Sequence, residues 1–390
     1  VAARSRVISL GLAGVAIVAI AGVATADPDA ANNWPYANSS SQARTYTLAA
    51  VGDIACEPDD AENAGNPAPL KCGSPSLGGY SAEYATAQQA YAMQPDAAAL
   101  LGDEQYQVGK LSDFEQSFEQ AWGGLKALER PAPGNHEYYP YTKKGDHEAA
   151  QNGTGYFSYF NGHDQSGIPN QHGQAGDDTA ASQGWYSYNL GNWHVVSLNI
   201  ECNSAAFSND CSTTDGGLLS QETQWLSTDL ASNSQPCTIA YWHQPTFTAA
   251  DTAAQVANPA GPGADSAEGL AADAWWKLLY ANHATLVLNG HEHYYARFRP
   301  MNPAGQSDPR HGITQITVGS GGEALDTIAK DNGAYSNPNV VTGQDQGYGV
   351  LKLSLHPHSY DWSYQPALAG PNAPAGAMAY SDSGSQNCRG

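Results

Sequence analysis

Apolar run after apolar run in this chain stops at a polar residue able to bind a metal. Thr45–Val51 leads into Gly52-Asp53, and Ala97–Leu101 leads into Gly102-Asp103. A helical pattern over Phe114–Leu128 is followed by Gly134-Asn135-His136-Glu137. Ile239–Trp242 runs into His243, and Leu286–Leu288 into Asn289-Gly290-His291-Glu292-His293. Helical stretches at Ser81–Met93 and Gln221–Leu230 alternate with further strands, such as Trp193–Asn199. Such alternation implies βαβ units around a parallel or mixed sheet. In that class the carboxyl ends of strands are where ligand sites collect. The late strands Ile313–Val318, Val350–Leu355 and Tyr360–Tyr364 follow one another without helices. Two mixed β-sheets flanked by helices, a four-layer α/β (α+β) sandwich, accommodate both halves.

Taken singly, each polar stop has a bland explanation. A Gly-Asp pair often only closes a turn, and a lone buried histidine is usually a hydrogen-bonded core residue. Taken together and in this order, two carboxylates, an amide and three imidazoles form a mixed oxygen and nitrogen donor set. Such a set suits Fe, Mn or Zn better than calcium.

These motifs resemble those of the calcineurin-like metallophosphoesterases, and within them most closely the purple acid phosphatases and their exported bacterial relatives. The narrower likeness rests on Tyr106 in Gly102-Asp103-Glu104-Gln105-Tyr106, and on Ala55 where the wider superfamily carries a metal-binding histidine. The likeness runs from about Tyr46 to the C-terminus and has two departures, Gln244 after the motif histidine and Ala296 after the His pair. It implies a dinuclear centre. Asp53, Tyr106 and His293 would hold Fe(III), while Asn135, His243 and His291 would hold a divalent Fe, Zn or Mn. Asp103 would bridge the two ions, and His136 would assist the phosphoryl group without binding metal. The implied activity is hydrolysis of small phosphate monoesters by metal-activated water. The rival readings are a phosphodiesterase acting on nucleotides or phospholipids, and a non-catalytic exported binding protein. A serine hydrolase lacks its motif, because Val318-Gly319-Ser320-Gly321-Gly322 only approaches G-x-S-x-G.

Charge and cysteine usage bound the setting. The formal charge of −22, from 38 acids against 16 bases, argues against a nucleic-acid partner, which needs a basic surface. Arg4 and Arg6 precede the apolar stretch Val7–Ala24, and Ala24-Thr25-Ala26 follows. That is the order of a secretory signal over residues 1–26, cut near Ala26. A membrane contact is expected only if the segment is retained as an anchor. Residues 27–44 read as a linker and 45–390 as a single catalytic domain with a C-terminal tail. The six cysteines of an exported chain read as disulfides, with fifteen possible pairings. Proximity suggests Cys56–Cys72 and Cys202–Cys211, leaving Cys237 to hold the tail through Cys388.

Overall fold

The computed structural model describes residues 44–58, 81–143, 146–162, 175, 183–249, 267–368 and 380–389. The expected signal peptide, nearly all of the linker, and Cys72 lie outside the described residues. The strands, in chain order, are β1 (Tyr46–Val51), β2 (Ala97–Leu101), β3 (Glu129–Ala132), β4 (Tyr141–Lys143), β5 (Asp146–Glu148), β6 (Tyr186–Leu190), β7 (Trp193–Ser197), β8 (Cys237–Tyr241) and β9 (Leu286–Asn289). They continue with β10 (Tyr295–Phe298), β11 (Thr314–Val318), β12 (Lys330–Asp331), β13 (Ala334–Tyr335), β14 (Val340–Gln344), β15 (Gly349–Leu355), β16 (Ser359–Pro366) and β17 (Asp382–Asn387).

One six-stranded sheet runs β17-β16-β15-β1-β2-β3, and a seven-stranded sheet runs β14-β10-β11-β9-β8-β7-β6. Both are mixed. In the first, β1, β2 and β3 are parallel and β15, β16 and β17 are added antiparallel. In the second, β7, β8, β9 and β11 are parallel, with antiparallel β6, β10 and β14 at the margins. The parallel strands carry the unbroken apolar runs because both of their faces are covered; all five residues of β2 and all five of β8 are buried. Tyr241 of β8 donates its hydroxyl to Arg130 O, and Trp193 of β7 meets Tyr360 of β16 edge to face, so the two sheets pack on each other. The carboxyl ends also touch through the backbone, Gly52 N donating to Val318 O at 2.9 Å and Gly321 N to Gly52 O at 3.1 Å.

Several elements depart from the sequence-based expectation. Phe114–Leu128 is not one helix but a chain of short helical pieces, beginning with a π-turn over Phe114–Phe118 and ending in a 3-10 segment over Gly123–Leu128. The break falls at Gly123-Gly124, where a Cβ on Gly124 would lie 1.6 Å from Tyr91 Oη. The stretch 324–347, rich in Gly, Asn and Asp and without an apolar run of its own, contains the β12–β13 hairpin and β14. The stretch 141–184 contains the β4–β5 hairpin and the helix Thr154–Asn161. The helix Ala267–Ala281, absent from the sequence reading, buries Trp275 against Trp242 and Trp276 against Phe247.

Two expected disulfides are present, Cys202–Cys211 and Cys237–Cys388. Cys56 is also disulfide-bonded. The second bridge explains β17, whose sequence Asp382-Ser383-Gly384-Ser385-Gln386-Asn387 has little strand propensity. Pairing with β16 and the bond from Cys388 to Cys237 hold it in the sheet. Asp382 adds a second anchor, accepting from Arg297 Nε and Nη2, Tyr295 Oη and Trp362 Nε1. Replacing Cys237 and Cys388 by serine should therefore lower stability by about 2–4 kcal/mol and deprotect the β17 amides. Urea melts and hydrogen exchange check this; an unchanged midpoint with β17 still protected would refute it.

Candidate metal centre

The residues singled out in the sequence converge where the carboxyl ends of both sheets meet. β1 delivers Asp53, β2 delivers Asp103 and Tyr106, and the short helix Asn135–Tyr138 after β3 delivers Asn135 and His136. From the other sheet, β8 delivers His243 and β9 delivers His291 and His293. On one side, Tyr106 Oη lies 3.1 Å from Asp53 Oδ1, 3.2 Å from Asp103 Oδ2 and 3.0 Å from His293 Nε2. On the other, Asn135 Oδ1 lies 3.1 Å from His243 Nε2 and 2.9 Å from His291 Nδ1. His243 Nε2 is 3.0 Å from Asp103 Oδ2, so one carboxylate oxygen belongs to both groups. Asp103, His243 and His291 meet the spacing of a metal-binding cluster.

Three of the four imidazoles, His243, His293 and His136, are aimed by their remaining nitrogen. His243 Nδ1 bonds Leu101 O at 2.8 Å, and His293 Nδ1 bonds Ala324 O at 2.7 Å. Because a carbonyl only accepts, both Nδ1 atoms carry the proton and both Nε2 atoms face the cluster, the arrangement a metal-ligating histidine requires. His136 is held the same way, Nδ1 bonding Gln107 O at 2.7 Å, with its ring centroid 4.2 Å from that of Tyr106. Its backbone N–H donates to Asp103 Oδ1 at 2.8 Å. Asp53, Asp103, Tyr106 and His243 are buried, whereas Asn135, His136 and His293 are half-buried and His291 is exposed. The cluster is thus open on the histidine side.

Glycines make the convergence sterically feasible. A Cβ on Gly102 would sit 2.3 Å from His243 Nδ1, and one on Gly134 would sit 2.2 Å from Asp103 Oδ1. Three of the expected ligands, Asp53, Asp103 and His291, have φ of 61°, 51° and 68°. A left-handed residue other than glycine costs of order 1–3 kcal/mol and persists where its surroundings over-determine it.

Glu137 holds the turn that carries Asp103. Its Oε2 accepts from Asp103 N at 3.1 Å and Gly134 N at 2.8 Å, and its Oε1 from Gln105 N at 3.2 Å. One carboxylate therefore clamps the turn after β2 to the start of the Asn135 helix. The sequence displays Glu137 within the motif but not this role. Asp326, which accepts from His293 N at 3.0 Å, carries no sequence signal at all. Arg297, which follows the His pair in the sequence, is paired with Asp382.

The electrostatics reflect carboxylates crowded in a dry site. Burial opposes the Asp103 charge, yet His243 and His136 beside it hold the carboxyl well below its ordinary value. Burial likewise disfavours a charged His293, but its contacts with Asp53 lift the imidazole to about 10. Burial raises the Tyr106 phenol, and Asp53 and Asp103 raise it further. A phenol in that setting ionises only beside a strong Lewis acid. Asp53, Tyr106 and His293 on one side, Asn135, His243 and His291 on the other and Asp103 between them form a mixed oxygen and nitrogen donor set that fits transition-metal cations.

Comparisons with known proteins bear on the family and the fold. Residues 46–295 match the sequence profile of the family described as calcineurin-like phosphoesterase. No curated protein sequence matches the chain significantly. Among solved structures, the purple acid phosphatase PPD1 from yellow lupin (Lupinus luteus) seeds superposes with a TM-score of 0.61 at 18% identity. That match covers 91% of this chain but only 55% of the lupin protein, so the chain spans about half its length. PhoD gives 0.57 at 13% identity over 91% of this chain and 70% of that one. GAP50, the anchor in the inner membrane complex of Plasmodium, gives 0.51 at 11% identity over 89% and 90%. At these identities each likeness is one of fold.

Gly102→Ala should drive the His243 ring out of place and weaken metal retention about tenfold or more. Gly333→Ala is the control, since Gly333 has a similar φ of 85° against 89° but nothing within 4 Å of its Cβ position. Metal content after dialysis against a chelator measures the difference, and equal retention by the two variants would refute the steric account.

Proposed function

Because this chain belongs to the calcineurin-like phosphoesterase family, we propose that it hydrolyses small phosphate monoesters at a dinuclear metal centre, in the manner of a purple acid phosphatase. The observation that carries this reading is Tyr106 Oη standing within 3.2 Å of Asp53, Asp103 and His293 together. A phenol in that place supplies the ligand that Ala55 cannot.

Asp53, Tyr106 and His293 would hold the harder ion, Fe(III). Asn135, His243 and His291 would hold a divalent Fe, Zn or Mn, with Asp103 common to both. Two such cations, when bound, offset charge on the phosphoryl oxygens and activate water for in-line displacement. The protein's own contribution is placement. Leu101 O and Ala324 O fix the tautomers of His243 and His293, so neither imidazole must reorient on binding. Gln107 O keeps the Nδ1 proton of His136, which leaves Nε2 to bond the phosphoryl group or, when protonated, to give a proton to the leaving oxygen. The half-buried rim of Asn135, His136 and His293 admits a small ester. Export is part of the proposal: disulfides at Cys202–Cys211 and Cys237–Cys388 suit an oxidising compartment, and N-terminal sequencing of secreted protein would test cleavage near Ala26.

The deciding experiment compares wild type with Tyr106→Phe at matched iron content. Wild type should show a visible phenolate-to-iron band, and the variant should lose it and hold iron more weakly. Asp103→Ala should lose more activity than Tyr106→Phe, since it removes the donor shared by both groups. A coloured wild type with an unchanged spectrum in the variant would remove Tyr106 from the ligand set. Hydrolysis of p-nitrophenyl phosphate should exceed that of its bis ester; the reverse order would favour the phosphodiesterase reading.

A further inference from the structure

We infer that Tyr139, Glu201, Gln244 and Glu268 form a separate cation site beside the dinuclear centre, built for one hard, oxygen-ligated divalent ion such as calcium. The four residues come from four elements. Tyr139 follows the Asn135–Tyr138 helix, Glu201 lies beyond the end of β7, Gln244 lies beyond the end of β8, and Glu268 is in the first turn of the Ala267–Ala281 helix.

Their polar atoms do not balance. Glu201 is 0% exposed, and neither of its carboxylate oxygens has a hydrogen-bond partner. The Gln244 Oε1 atom is buried and equally unpartnered. The Tyr139 hydroxyl donates to Glu268 Oε1 at 3.0 Å and also faces Glu201, so its one proton serves two carboxylates. The residues act on each other directly: Gln244 and Glu268 both bear on the Glu201 charge, and burial together with both glutamates raises the Tyr139 phenol. The cluster therefore has a surplus of acceptors over donors, the donors being the Tyr139 hydroxyl and the Gln244 amide NH2. A buried, unpartnered carboxylate is among the costliest groups a protein can carry, and a bound ion is one of its few remedies. Carboxylate and amide oxygens without nitrogen or sulfur select a hard cation, unlike the mixed donors around Asp103.

The backbone around Glu201 is already fixed. Its N–H donates to Asn199 Oδ1 at 3.1 Å, and the next residue is Cys202, bonded to Cys211. An ion here would fasten the start of the Ala267–Ala281 helix to the ends of β7 and β8. That is a structural role, independent of phosphoester hydrolysis and beyond the function proposed above.

The test uses the full chain loaded with its transition metals, dialysed against calcium alone and then assayed for metal content. Wild type should retain one calcium per chain in addition to the transition metals. Its Tm should rise by about 3–5 °C at calcium 100-fold above the Kd. The double variant Glu201→Gln, Glu268→Gln should keep its transition metals, bind no calcium and show no rise. Gln244→Leu, which removes one acceptor, should weaken calcium retention about tenfold and stands in if the double variant does not fold. No calcium on wild type would overturn the proposal, because the cluster would then be protonated carboxyls. Equal retention by the variants would overturn it too, placing the ion elsewhere. Loss of the transition metals is counted separately in the same sample, so failure of the dinuclear reading and failure of this one are distinguishable.

Discussion

Asp103 is the point through which the architecture is tied together. Its Oδ2 meets His243 of the second sheet and Tyr106 of its own loop, and its Oδ1 accepts from His136 N. Its backbone N–H is held by Glu137, and its carbonyl accepts from Ile54 N beyond β1. One residue thus joins the ends of β1, β2 and β8 to the Asn135 helix. The left-handed conformation at φ 51° is the local cost of those simultaneous contacts. Gly102, before it, and Gly134, across from it, leave the space its contacts need.

This concentration of charge is unfavourable on its own. Burial raises the Glu137 carboxyl to about 8, with Asp103 adding to the effect. Stability must come from elsewhere, and it comes from the apolar parallel strands, the aromatic packing of Trp242, Trp275, Phe247 and Trp276, and the disulfides. The division is physical. The sheets supply apolar burial, and only at their carboxyl ends, where the ladders stop, can polar side chains converge without breaking strand hydrogen bonds.

Most of the first sheet and the parallel part of the second were legible as apolar runs, because a strand covered on both faces must be apolar throughout. The antiparallel margins were harder. β17 is polar, and β12 to β14 lie in a stretch rich in Gly, Asn and Asp; partners rather than local preference make them strands. The break near Gly123-Gly124 was equally hidden, since it answers to Tyr91, a residue on another helix.

The sequence by itself singled out the candidate donor set. Asp53, Asp103, Asn135, His243, His291 and His293 stand out as candidates because chemistry-bearing residues follow apolar runs in order, and Tyr106 joins them through the family resemblance. It also suggested the Cys202–Cys211 and Cys237–Cys388 pairs from proximity and elimination. What only the tertiary structure decided is how those donors are aimed and what surrounds them. Leu101 O and Ala324 O orient the imidazoles, Glu137 clamps three backbone amides, and Arg297 is taken by Asp382. Carbonyl contacts leave no mark on side-chain identity, and a carboxylate reaching another loop has no fixed sequence spacing. The unpartnered oxygens of Glu201 and Gln244 belong to the same category, because a shortage of donors exists only once four distant segments have been packed together.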